Sequence, residues 1–309
     1  MNTTEKHAWE TSTTIEGPLL VHHAANRGDD YPHNSLGGLR HCLETGARVV
    51  EVDINPLRDN DLALLHDDLL ENSTNGSGSV YATTTDEVRS LHYVHRGVVT
   101  NERVGLLSEA VSLIQDYAHF QELQLDLKVG TPSTDTILRR LLQIVEPAKE
   151  RVRVTSAADW TLRRLRALDA DIPLGFDPLL YLEVKNPGEK VPPFRLGAYG
   201  YWDDHPLATR RWGTPADYLA ARAEALWTQA PANAAWYIRA SLLARVIDDG
   251  FDWIEYLHVR SAWVDAWTLD VDQVGHLELA QQLIVAGIDR ITTNNAPRLA
   301  AALDSAAEF

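Results

Sequence analysis

The chain has 309 residues, enough for one large α/β domain or two small ones. Its net charge of −16 argues against nucleic acid or an anionic membrane surface as the main partner, since both call for basic patches. The single cysteine, Cys42, excludes an intrachain disulfide and reads as a small buried hydrophobe. A phosphate-bearing substrate stays open, because a bound metal reverses the sign locally.

Residues 1–17 are polar and Thr-rich, with no apolar h-region, and no stretch is long enough to span a bilayer. The expectation is a disordered or loosely packed N-terminal segment, a cytoplasmic protein and no stable membrane insertion. Pro18–His23 then reads as a buried first strand, with His23 on the face of Leu19 and Val21. After a polar loop, Asn34 or Ser35 can cap a helix running to about Thr45.

Ala47–Asp67 organises the rest. Val49, Glu51 and Asp53 fall on one strand face, and Val50, Val52 and Ile54 on the other. An exposed edge strand would also carry polar residues on one face. Gly46 ending a helix just before, and the solid aliphatic face, favour a barrel strand with carboxylates at its carboxyl end. Two like charges side by side raise one another's pKa unless a cation sits between them, and hard oxygen ligands suit magnesium or calcium. Leu62–Leu65 then leads into His66-Asp67, and a histidine can move protons near neutral pH.

Glu71–Ser79 is a turn-rich loop, Asp86–Leu91 a short helix, and Leu106–Phe120 a longer one. Leu123–Lys128 is a third strand with Gln124, Asp126 and Lys128 on one face. Thr136–Lys149 is an amphipathic helix. Arg151–Thr155 and Ile172–Phe176 are strands flanking a helix over Asp159–Leu168. Residues 177–232 form an aromatic- and proline-rich insertion with an embedded helix near Ala216–Trp227; the aromatics argue against disorder. Ala235–Arg239 is a weak sixth strand, Phe251–Arg260 a helix, Trp263–Leu269 the seventh strand, Leu277–Ala286 a helix and Ile288–Thr292 the eighth strand. A last helix follows Pro297. Eight strands alternating with helices imply a single (β/α)8 TIM barrel over residues 18–309.

Collected at strand ends are His23, Glu51, Asp53, His66, Asp126, Lys128 and Trp267. Each alone has a bland reading, as a satisfied core histidine, a solvated lysine or a packed indole. A convergent set of titratable groups at one barrel mouth is the signal of a site. A glycosidase pair is disfavoured, because Glu51 and Asp53 share one wall, whereas glycosidase carboxylates flank the sugar. A non-catalytic binding module on the same barrel is a third class, since fold alone does not fix function.

In order, the chain shows a strand ending in His23, Pro32-His33-Asn34-Ser35, Glu51-Val52-Asp53, and His66-Asp67 with the loop Thr74–Gly78. Asp126-Leu127-Lys128, Trp267-Thr268 and Gly287–Thr293 follow. This series resembles the glycerophosphodiester phosphodiesterase family, of the phospholipase-C-like phosphodiesterase barrel type, over roughly residues 18–304. The resemblance implies one divalent cation, Mg2+ or Ca2+, held by Glu51, Asp53 and Asp126. It implies His23 and His66 as the acid–base or nucleophilic pair, Lys128 on a phosphate oxygen and Trp267 lining the pocket. Where the family has His-Arg-Gly, this chain has His23-Ala24-Ala25-Asn26-Arg27-Gly28, so either Arg27 is the phosphate-binding arginine, on a longer loop, or that role is lost. Asp-x-Lys also resembles the spider-venom phospholipase D branch, which releases cyclic phosphates. The implied substrate is a small-molecule or lysolipid phosphodiester; Tyr199–Trp212 reads either as contacting a group larger than glycerol or as a packed lid with no substrate contact.

Overall fold

The structure, a computed structural model, describes residues 17–28, 30–130, 133–185 and 195–304. All but the last residue of the expected N-terminal segment lies outside the described residues, as do Pro187, Pro192 and Pro193 of the expected insertion.

In chain order the elements are β1 (Leu19–His22), α1 (Leu36–Glu44), β2 (Val49–Pro56), β3 (Leu62–Ala63), α2 (Thr85–Arg89), β4 (His92–His95), β5 (Val98–Arg103) and α3 (Leu107–Gln115). Then come β6 (Glu122–Leu127), α4 (Asp135–Val145), β7 (Val152–Ser156), α5 (Asp159–Leu168), β8 (Leu174–Phe176) and α6 (Pro215–Gln229). The chain closes with β9 (Ala235–Arg239), α7 (Ala240–Asp248), α8 (Trp253–His258), β10 (Val264–Trp267), α9 (His276–Val285), β11 (Arg290–Thr293) and α10 (Ala296–Ala302). The parallel strands run β1-β2-β6-β7-β8-β9-β10-β11, and β11 pairs back to β1, so the sheet is a closed eight-stranded TIM barrel.

The alternation of side chains explains the barrel. Val50, Val52 and Ile54 of β2 and Leu123, Leu125 and Leu127 of β6 face outward into one continuous apolar core under the helices. The inward faces are polar. At the amino-terminal end, Glu122 accepts hydrogen bonds from Arg153 at 2.9 Å and Arg290 at 2.5 Å. Both guanidinium groups stack on Trp263, at 4.9 and 4.0 Å from the ring centroid, which closes the barrel floor. Each buried charge is thereby paired and hydrogen-bonded, as burial demands. Chemistry is left the other end.

Elements expected from the sequence shift modestly. Ser35 Oγ accepts from Gly38 N–H at 3.0 Å and starts α1. α4 stops at Val145, short of the expected Lys149, because Pro147 turns the chain into a 3-10 segment over Glu146–Arg151. α3 ends at Gln115 rather than Phe120.

The larger difference lies between β2 and α3. There β3, α2 and the β4–β5 hairpin form a small lobe with its own core, including Leu57, Leu65, Val80, Val88, Tyr93 and Leu106. Sequence reading expected an apolar run over Leu62–Leu65, a loop and a short helix here, with no hairpin. The hairpin turns at Arg96-Gly97, both with positive φ (51° and 77°), a pair that lacks the Asn-Gly signal. Val98 and Val99 are exposed, so no buried face marks β5.

The connection between β8 and β9 holds α6 and the aromatic stretch. Tyr199 stacks on Tyr218 of α6 at 4.6 Å, and the Tyr201 hydroxyl donates to Asp249 after α7. These rings pack on the outer shell. No described residue of 199–212 lines the cavities at the barrel mouth, so of the two expectations for this segment the packed one, without substrate contact, matches the geometry. Among the described residues no helix is long and apolar enough to cross a membrane.

Candidate active site

β1 ends at His22, and the chain turns at once through Ala24 and Ala25, both with positive φ (49° and 52°). Such backbone costs energy in a non-glycine residue and is kept where the surroundings fix it. Here it aims Ala24 N–H at Glu51 Oε2, 2.7 Å away. The turn also separates the two histidines. His22 is fully buried outside the barrel lumen, bonded to the Asn26 carbonyl at 3.1 Å. Burial pushes its pKa down to about 4, against that hydrogen bond, so it stays neutral. His23 lies at the cavity wall, its Nε2 3.9 Å from Glu51 Oε2.

β2 and β6 pair in register with Asp53 opposite Asp126. Oxygens of Glu51, Asp53 and Asp126 therefore lie within 4.8 Å of one another. The Lys128 ammonium bridges two of them, at 2.6 Å from Asp53 Oδ1 and 2.5 Å from Asp126 Oδ2. Burial would raise the Asp53 carboxyl, but Lys128, with His66 and His23, overrides it and holds the pKa down to about 2. Glu51 goes the other way: burial, then Asp53 and Asp126, push it well above the usual carboxylate range. Three carboxylates share one ammonium, and the uncompensated repulsion is felt at Glu51, whose anionic form is disfavoured unless a cation is bound. That is a donor set of hard oxygens fitting a divalent cation. Asn34 supports it from both sides, donating from Nδ2 to Asp53 Oδ2 at 2.7 Å and accepting from Asp53 N–H at 2.8 Å.

His66 sits on the loop after β3, exposed, with Nδ1 3.2 Å from Asp67 Oδ1. Asn55 of β2 donates to the Leu65 and Asp67 carbonyls at 3.0 and 3.2 Å, tying this loop to the strand that carries the carboxylates.

Sequence reading missed the group that holds His23. Its Nδ1 is 2.8 Å from Asn294 Oδ1. The Asn294 amide is itself fixed, because its Nδ2 donates to Asp270 Oδ2 at 2.7 Å and its backbone N–H to Asp270 Oδ1 at 2.8 Å. An oxygen facing Nδ1 assigns the proton to Nδ1 and leaves the Nε2 lone pair toward the cavity. Asn294 follows the last barrel strand by one residue, and that position was the only sequence signal.

Two cavities open at this mouth. One, about 370 Å³, lies over the lumen and is walled by Lys128, Asp177, Tyr237, Arg239 and Trp267. The other, about 330 Å³, runs under the small lobe past His33, Ser73, Val94 and His95. His23, Asp53 and His66 line both. Trp267 is covered by the Arg239 guanidinium, 4.7 Å above its ring. Arg27 lines neither cavity. Its electrostatic neighbours are His22 and Cys42, on the outer side of β1, so the structure corrects the candidate phosphate contact: the longer loop carries Arg27 behind the strand. The structure thus brings together His23, Glu51, Asp53, His66, Asp126, Lys128 and Trp267.

Fold and site define a TIM barrel with a carboxylate and imidazole cluster at the carboxyl ends of its strands. A model of the glycerophosphoryl diester phosphodiesterase family matches residues 27–297, and the chain belongs to that family. It is 27% identical over 166 residues to a glycerophosphodiester phosphodiesterase of Caldanaerobacter subterraneus, covering 51% of this chain and 65% of that one. It is 35% identical over 94 residues to mouse glycerophosphodiester phosphodiesterase 1, covering 28% of each. The alignments thus span less than two thirds of these relatives' lengths. Among solved structures, a phosphodiesterase of Oleispira antarctica in complex with its product sn-glycerol-3-phosphate superposes with a TM-score of 0.66 at 20% identity, over 94% of this chain and 98% of that one. A glycerophosphodiester phosphodiesterase of Parabacteroides distasonis gives 0.64 at 17% identity, over 94% and 98%. These two likenesses concern the fold.

Proposed function

We propose that the protein is a metal-dependent phosphodiester hydrolase acting on glycerophosphodiesters. The observation that carries this reading is the triad of carboxylate oxygens within 4.8 Å, flanked by His23 and His66 in the cavity. Glu51, Asp53 and Asp126 would hold one divalent cation, Mg2+ or Ca2+. When bound, it supplies charge neutralisation for an anionic diester that otherwise repels attack.

The chain's own groups divide the proton work. His23 presents an unprotonated Nε2, fixed by Asn294, and takes a proton from the attacking hydroxyl. His66, its Nδ1 beside the Asp67 carboxylate, gives a proton to the leaving alcohol oxygen. Lys128 neutralises a phosphoryl oxygen, and Trp267 walls the substrate side. Where the glycerol arm carries a neighbouring hydroxyl, that hydroxyl attacks first, since proximity replaces a second encounter. The P–O bond to the leaving alcohol breaks, a cyclic phosphate forms, and water then opens it with the histidines in exchanged roles. The final product is a phosphomonoester.

The second reading, a phospholipase D-like lyase that stops at the cyclic phosphate, draws on Asp126-Leu127-Lys128. Phosphorus NMR of the reaction in oxygen-18 water separates the two. Hydrolysis places one heavy oxygen in the product phosphate. An unlabelled cyclic phosphate that accumulates reassigns the enzyme as a lyase, and no turnover of any diester with Mg2+ or Ca2+ overturns the enzymatic reading in favour of a binding module.

A further inference from the structure

A phosphodiester has two alcohol arms diverging from one phosphorus. The cleft has the same form, with two cavities diverging from a junction at His23, Asp53 and His66. We infer that the cavity under the small lobe is the subsite for the second alcohol, and that it takes an uncharged, hydroxyl-bearing group up to the size of a sugar. The inference rests on the phosphodiesterase reading and adds the class of its substrate.

Size sets the upper bound. About 330 Å³ lies at the low end of cavities that hold small ligands. Its wall includes Tyr93, only 1% exposed, with its hydroxyl 2.7 Å from the Leu64 carbonyl and accepting from Gly105 N–H at 3.3 Å. Those bonds lock the small lobe to the barrel and make the ring a fixed wall of the cavity.

Wall chemistry sets the class. No lysine or arginine is among the described residues of this wall, so an anionic arm meets no counter-charge. Its carboxylates are Asp53, which Lys128 pairs, and Asp67, which lies beside His66. A cationic arm therefore finds no carboxylate to itself. Tyr93 is its one phenol or indole ring and is buried among its own bonds, so a quaternary ammonium has no aromatic cage. What the wall offers is neutral hydrogen bonding. Asn72, exposed on this wall, carries an amide that can both donate and accept. His33, 2.9 Å from Asn26 Nδ2, and His95 add ring nitrogens on either side.

The test compares glycerol 3-phosphate diesters of methanol, glycerol, inositol, choline and hexadecanol. Glycerol and inositol esters should exceed the methyl ester in kcat/KM by about tenfold, the worth of one added hydrogen bond. The choline and hexadecyl esters should not exceed it. His95→Trp fills the cavity and should lower the glycerol-to-methyl ratio about tenfold. Asn72→Trp, at an exposed position of the same wall, should do the same if the first variant fails to fold by circular dichroism. Val99→Trp, on the exposed side of the same hairpin, should leave the ratio unchanged. Preference for choline or hexadecyl, or an unchanged ratio in both filling variants, overturns the subsite. A wild-type enzyme that cleaves none of the five overturns the phosphodiesterase reading itself, which is a different result from cleaving all five equally.

Discussion

The site has a strand-borne half and a loop-borne half, and the two are built on opposite terms. Glu51 and Asp53 on β2 are 8% and 1% exposed, and the side chain of Lys128, just past β6, is 18% exposed. Their spacing follows from sheet register, since Asp53 faces Asp126 across a parallel pair. A one-residue slip would turn every one of these carboxylates into the apolar shell. His66 and Asp67 ride on a loop, with side chains 59% and 34% exposed, tethered mainly through Asn55. Charge that must stay put is buried in the sheet. A group that must trade protons with water is left at the surface.

The comparison breaks most sharply at Glu51. Glu51→Gln keeps the shape and removes one of the three carboxylates that would hold the cation. Turnover should fall by more than ~100-fold, the upper end of what loss of a group supporting a metal ligand costs. Excess chelator should abolish activity, and Mg2+ or Ca2+ should restore it. Full activity in chelator would sink the metal assignment.

The histidines come next, His23 in the turn after β1 and His66 on the loop after β3. His23→Ala and His66→Ala should each cost about 10³-fold in kcat, within the range of general acid–base catalysis. The double variant should be little worse than either, because the two serve one proton traffic. Multiplicative losses would mean that they act in separate steps.

How legible each half was in the sequence follows from the same contrast. The strand half could be read because period-two alternation is local: Glu51-Val52-Asp53 and Asp126-Leu127-Lys128 announce two polar faces on aliphatic strands. His66 was legible as a motif, yet the lobe holding it was not. Its core assembles from residues spread between Leu57 and Leu106, and its hairpin lacks both a turn signal and a buried face. Asn294 and Asp270 were invisible for another reason. Each is an ordinary polar residue at a strand exit, and only closure of β11 onto β1 brings Asn294 to His23. Arg27 misled because a longer loop carries a charge past the strand rather than into the lumen.

Asn294 sharpens the comparison, since it gives a loop-borne histidine the fixed geometry of the strand half. Asn294→Ala should lower kcat about tenfold to hundredfold with little change in KM, because the imidazole loses its orienting acceptor while substrate contacts remain. Nitrogen NMR of the His23 ring should show the proton redistributing from Nδ1 to Nε2. An unchanged tautomer with reduced kcat would make Asn294 a structural residue only.

The smallest effect on turnover is expected at Asp265, deep in the lumen below both cavities. It is fully buried, accepts from Thr292 Oγ1 at 2.8 Å, and its second oxygen has no hydrogen-bond partner. Burial, assisted by Glu122 and opposed by the Thr292 hydrogen bond and Arg290, pushes its pKa up to about 6. An acid whose folded pKa lies above its unfolded value favours the native state most below that unfolded value. The advantage is lost as pH rises from near 4 through 6, where the folded protein must carry a buried carboxylate. Asp265→Asn keeps the shape and the acceptor for Thr292 but cannot ionise. Its thermal midpoint should match the wild type at pH 4 and exceed it at pH 8. The gain should be on the order of 3 kcal/mol at most, from a rise of two pKa units. Activity should be unchanged, since Asp265 lines neither cavity. A variant destabilised equally at both pH values would show that the carboxylate is held ionised by Arg290, and the lumen would then be a charged layer throughout rather than a neutral step between two charged ones.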